Sequence, residues 1–173
     1  MNNKCSNKIE KIIEAGKKCK ENLSSVIPNV NTVSPTNTYG RIYDATETPI
    51  VLVASTPQEV PLGSIGEVNN IITTTLNRLT IPSNGVYLID YYFSASPSAN
   101  ASVTVELTQN TTAISNTSVT RSMTTGNDSI FSSSTIIKLN KGDEIALSID
   151  STTGVTVTPS SGTSAYINIL KIA

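Results

Sequence analysis

The sequence predicts an all-β antiparallel sandwich or jelly roll of about ten strands, preceded by a short N-terminal helix or arm. Three observations point there. Apolar residues alternate with polar ones at period two over most of the chain after residue 38. Turn-forming clusters separate these runs at short, regular intervals. Ser, Thr and Asn are abundant beside Val and Ile, while Trp and His are absent, a composition suited to strands and turns.

The first 28 residues read differently. Cys5, Ile9, Ile12, Gly16, Cys19, Leu23 and Val26 are spaced in alternating steps of four and three, a heptad seam. Asn2, Asn3, Ser6 and Asn7 are available as caps, and Pro28 ends the pattern. Gly16 weakens the seam by about 1 kcal/mol relative to Ala, and three heptads are near the lower limit for an isolated helix. Three outcomes stay open for residues 1–28: a frayed arm, a helical neck about a symmetry axis, or an arm docked on a neighbouring copy. Residues 29–38, rich in Pro, Ser, Thr and Asn, read as a linker, and residues 39–173 as the β head.

Charge divides along the same line. Residues 1–28 hold six lysines and three glutamates, giving +3; the rest holds six basic and ten acidic residues, giving −4. The near-neutral total of −1 gives no steering toward nucleic acid. The asymmetry reads either as two solvated surfaces or as the tail of one copy meeting the body of another. No segment reaches the ~18 consecutive apolar residues of a membrane span. The start has lysines but no apolar core of a secretory signal, so export by that route is not expected.

Within the head, Val103, Val105 and Leu107 alternate with Thr104, Glu106 and Thr108; Ile145, Leu147 and Ile149 with Ala146, Ser148 and Asp150; Val155 and Val157 with Thr156 and Thr158. Val51, Leu52 and Val53 form one short apolar run. Turns are expected at Pro82-Ser83-Asn84-Gly85, Pro97-Ser98-Ala99-Asn100, Gly126-Asn127-Asp128, Lys141-Gly142-Asp143 and Ser160-Ser161-Gly162. In 85–93, Tyr87, Ile89, Tyr91 and Phe93 share one face, with Leu88, Asp90 and Tyr92 on the other. Such a strand could serve both a core and a subunit contact, and Gly85 would let the chain turn tightly into it.

Four segments carry a family resemblance. Gly85-Val86-Tyr87-Leu88-Ile89-Asp90-Tyr91 resembles the Gly-x-Tyr-x-Phe-x-Tyr/Phe core strand of the C1q/TNF-like jelly rolls, with Ile89 in place of an aromatic residue and Leu79 as the upstream apolar residue. Residues 139–147, Leu139-Asn140-Lys141-Gly142-Asp143-Glu144-Ile145-Ala146-Leu147, resemble the family's Leu-x-x-Gly-Asp hairpin. Residues 164–172 resemble its last strand and Tyr39-Gly40-Arg41-Ile42-Tyr43 its first. The head is most similar to the C-terminal domain of collagen-like exosporium glycoproteins of spore-forming bacteria and to endospore appendage fibre subunits. The resemblance implies a homotrimer, with the strand carrying Tyr87, Ile89, Tyr91 and Phe93 in its core or trimer contact. It implies a spore-surface location in exosporium or appendage, reached by mother-cell lysis. The calcium ligands of some members have no counterpart that can be matched here.

Enzymatic chemistry is not expected. Without His there is no Ser-His-Asp triad, no Cys-His pair and no imidazole metal site. Asp143 and Glu144 are adjacent, so they point apart and do not form an acid–base pair; Asp143 reads as a turn residue. No cofactor is expected. Cys5 and Cys19 both lie in the arm. On a helix they would be about 21 Å apart along the axis, against the roughly 7 Å between Cα atoms that a disulfide tolerates. They therefore read either as inter-subunit disulfide candidates or as reduced, small apolar seam residues alongside Ile9, Ile12, Leu23 and Val26. The functional expectation is a structural subunit of a spore-surface appendage or coat fibre. Its partner is itself, in a homotrimer stacked head to tail, with other spore-surface proteins or glycans as further candidates and neither nucleic acid nor membrane. The alternative is a terminal adhesive, receptor-binding trimeric module of a spore filament or phage fibre.

Overall fold

A computed structural model of the chain describes residues 37–173. Thirteen strands run through them: β1 (Tyr39–Asp44), β2 (Ile50–Leu52), β3 (Gln58–Glu59), β4 (Ser64–Asn69), β5 (Leu79–Thr80), β6 (Gly85–Pro97) and β7 (Ala101–Gln109), then β8 (Thr112–Ala113), β9 (Val119–Met123), β10 (Ser129–Leu139), β11 (Glu144–Ser151), β12 (Val155–Pro159) and β13 (Ala165–Lys171). The count exceeds about ten because β3, β5 and β8 are two residues long, too short to show any period. Among the described residues one 3₁₀ turn, Ser115–Thr117, is the only helical element.

All pairings are antiparallel and fall into two sheets. The larger sheet has seven strands. Its body runs β4-β1-β13-β6-β10, and β12 with β2 continues beyond the end of β13 on the same side of β6. The smaller sheet has β11 and β7 at its centre, β5 and β3 on the outer edge of β11, and β8 and β9 on the outer edge of β7. The longest strand, β6, has 13 residues and is paired along both edges.

The core lies between the sheets and follows the alternation. Tyr87, Ile89, Tyr91 and Phe93 of β6 are fully buried, opposite Val103, Val105 and Leu107 of β7 and Ile145, Leu147 and Ile149 of β11. Phe93 and Phe131 meet with centroids 6.1 Å apart. At about 25 cal/mol per Å² of apolar area, this interlayer burial is the main favourable contribution to the fold.

Several local expectations change. In β2, Ile50 and Leu52 are buried and Val51 is exposed, as is Val53 just beyond it, because only one face of this edge strand meets the core. The Leu139–Leu147 segment is not a hairpin: β10 pairs with β6 in one sheet and β11 with β7 in the other. The Asn140–Asp143 turn, closed by the Asp143 N–H donating to Asn140 O at 3.1 Å with Gly142 at φ 91°, is a corner between sheets. Gly85 is required by close approach, since its φ is not in the left-handed region. A Cβ there would lie 2.5 Å from Ala173 O and collide with the Lys171 side chain. Its bareness lets Val86 exchange hydrogen bonds with residues 172 and 173.

Candidate self-association surface

The outward faces of β1, β13, β6 and β10 form one surface whose rows are set by strand register. One row is Tyr43, Tyr166, Tyr92 and Ser132. The next is Arg41, Asn168, Asp90 and Ser134. The third is Tyr39, Leu170, Leu88 and Ile136. An aromatic row and an aliphatic row thus flank a polar one.

The aliphatic row is largely open to solvent, and the three tyrosines of the aromatic row are half-buried. Ile136 is 64% exposed, Leu170 42% and Tyr39 40%, with Ile130 also exposed further along β10. Tyr92 and Tyr166 stack with centroids 5.6 Å apart and planes 14° from parallel. Arg41 lies over the same platform, its guanidinium carbon 4.6 Å from the Tyr166 centroid and 5.6 Å from that of Tyr43. Its stem is held because Gly66 of β4 has no side chain; a Cβ there would sit 3.3 Å from the Arg41 methylenes. In the same row Asn168 Nδ2 donates to Asp90 Oδ2 at 2.9 Å. A contiguous apolar face rimmed and threaded by polar groups is the signature of an interaction surface.

The four residues singled out on β6 therefore belong to the core: Tyr87, Ile89, Tyr91 and Phe93 are at most 1% exposed. The face of β6 left partly open to solvent is the alternate one, Leu88, Asp90 and Tyr92. The buried phenol of Tyr91 lies 2.9 Å from Val105 O and 2.8 Å from Thr117 O, to either of which it can donate. Burial, with a smaller contribution from Glu106, pushes that phenol well above its ordinary pKa. Cys5, Cys19, Ile9, Ile12, Leu23 and Val26 lie outside the described residues.

Asp143 is a structural anchor. Its carboxylate accepts from the Asn140 N–H at 2.8 Å, Gln109 Nε2 at 2.7 Å and Asn110 Nδ2 at 2.8 Å. Burial alone would raise its pKa; these three donors outweigh that and hold it below the usual carboxylate range. Glu144 instead pairs with Arg78, which also contacts Glu59 at 2.5 Å. Among the described residues no cluster of three or more carboxylates and thiols is placed to hold a metal. A shallow groove of about 590 Å³ runs between the edge strands β9 and β10, lined by Thr120, Arg121, Ser122, Asp128, Ser129 and Ile130.

This two-sheet topology is the C1q/TNF jelly roll. It is similar to the structure of Eiger TNF from S. frugiperda at 14% identity (TM-score 0.57, covering 79% of this chain and 92% of that one). The globular domain of zebrafish complement 1qA protein is similar at 13% identity, with TM-score 0.57 over 79% of this chain and 98% of that one. At such identities the likeness is one of fold. No curated protein matches the sequence. Residues 42–173 match the BclA C-terminal domain, and the chain belongs to that family, whose members end collagen-like exosporium glycoproteins.

Proposed function

We propose that this protein is a structural, non-enzymatic subunit of the bacterial spore surface that assembles as a homotrimer through the outward face of the larger sheet. Family membership supports the location, and the C1q/TNF fold supports a three-fold assembly. The observation that carries the reading is the row of exposed Tyr39, Leu170 and Ile136 with half-buried Leu88, beside the Tyr43, Tyr166 and Tyr92 row. Trimers then stack into an appendage or coat fibre. The basic residues 1–28 of one layer meet the acidic head of the next, and Cys5 and Cys19 link subunits covalently.

Light scattering of the full chain with Cys5→Ser and Cys19→Ser tests the first level: a mass three times 18.3 kDa is expected. A monomer at micromolar concentration refutes the trimer. Electron microscopy and non-reducing electrophoresis of the unmodified chain test the second. Isolated trimers without filaments, or monomer bands without reductant, refute stacking or covalent linkage respectively. The hydroxyl-rich β9–β10 groove favours a second reading, a terminal glycan-binding module. A glycan array showing binding abolished by Arg121→Ala would support it over the fibre.

A further inference from the structure

The polar row between the two apolar rows is a poor fit to a face that merely buries area. Arg41 and Asp90 lie in one register row but on strands separated by β13. Two inter-strand spacings place their Cα atoms about 10 Å apart, and Asn168 stands between them, bonded to Asp90. Among the described residues, Arg41 has no carboxylate within ion-pair distance, and the ion pairs formed all involve Arg78. Asp90 has one oxygen on Asn168 and no second partner among the described residues. Both groups are only partly exposed, so a second copy laid on this face would desolvate them further. An unpaired charge buried in an interface costs several kcal/mol, so a stable contact here has to supply each with its opposite.

We infer that Arg41 of one copy pairs with Asp90 of the next, and that this pair fixes the register of self-association. This rests on the reading of the face as the homotrimer contact. The two charges are opposite in sign, equal in number and carried by the same face, so a cyclic arrangement satisfies every one of them, each copy giving one cation and receiving one. Arg41 is suited to the task. Its guanidinium is already oriented by stacking on Tyr43 and Tyr166, leaving its planar fork of donors for a carboxylate. Two other charged groups share the surface. Glu67 sits on the β4 bulge opposite Arg41, and Lys138 lies on β10 at the solvent-exposed end of the face. Neither is held by a second contact as Arg41 is.

The test is a charge-exchange cycle in the full chain with Cys5→Ser and Cys19→Ser, read as the trimer dissociation midpoint by light scattering, with circular dichroism to confirm folding. Arg41→Asp and Asp90→Arg are each expected to weaken assembly by about 30-fold or more, and the exchanged double variant to recover most of it. Leu88→Asp is the control for the face: it should leave folded monomers. If Leu88→Asp dissociates the trimer while the exchange gives no recovery, or Lys138→Asp rescues Asp90→Arg instead, the pair is wrong and the face stands. If Leu88→Asp leaves the trimer intact, face and pair both fall. Should a reversal variant fail to fold, Arg41→Gln and Asp90→Asn replace it. Non-additive effects support the pair and additive ones overturn it.

Discussion

Replacing Asp143 tests the corner between the sheets, because one carboxylate there ties three segments together. It holds the Asn140 N–H of the turn, Gln109 at the end of β7 and Asn110 just beyond it. Hydrogen bonds to a charged acceptor contribute about 1.5–3 kcal/mol each when both partners are buried. Asn110 is exposed and Gln109 partly so, so their amides can turn to water, and most of the loss falls on the Asn140 N–H. Asp143→Ala should therefore cost about 2–4 kcal/mol at neutral pH, and Asp143→Asn less, because one acceptor oxygen remains. The folded carboxyl titrates below its unfolded value of about 3.9. Its stabilisation is thus complete above about pH 5 and lost as pH falls through the folded value. Urea unfolding at fixed protein concentration should show wild type and Asp143→Asn separated at pH 7 and converging toward pH 2–3. A separation that is absent at pH 7, or unchanged at acid pH, would refute the assigned role.

Other substitutions probe separate features by the same midpoint. Gly85→Ala should destabilise by about 1–3 kcal/mol, since its Cβ has to displace Ala173 and the hydrogen bonds to Val86; a change under about 0.5 kcal/mol would contradict the close approach. Tyr91→Phe removes the phenol from Val105 O and Thr117 O and should cost about 1–3 kcal/mol, detected by thermal unfolding. Thr111 adopts φ 69° in the β7–β8 turn, a conformation that costs an L-residue roughly 1–2 kcal/mol. Thr111→Gly should therefore raise the unfolding midpoint modestly, and a lowered midpoint would show that the turn is not strained.

The long alternating strands were legible in the sequence because β6, β7 and β11 have their inward residues where period two puts them, although β11 also covers Ala146 and Ser148 on its other face. Strand β10 was hidden. Its Ser132-Ser133-Ser134 run has no polarity contrast, and its fully buried positions, Phe131, Thr135 and Leu139, are four residues apart. The Lys141-Gly142-Asp143 turn was legible, yet turn chemistry is local and does not say whether the next strand joins the same sheet. The interaction face was read only in part, on β6. Arg41 meets Tyr166, and Asp90 meets Asn168, across separations that no local pattern encodes.

The place of β13 has a consequence for synthesis. The last of the thirteen described strands is an interior one, inserted between β1 and β6 and bonded to both. Until residues 165–171 emerge, a growing chain has β1 and β6 waiting one strand-width apart, each with an unsatisfied edge. Pairing of such sequence separation is slow to form, and open edges invite association with other chains. A chain cut short before Ala165 would leave the larger sheet in two pieces. The architecture thus makes the outward face depend on β13: only a chain translated through residue 171 closes the surface proposed above for self-association.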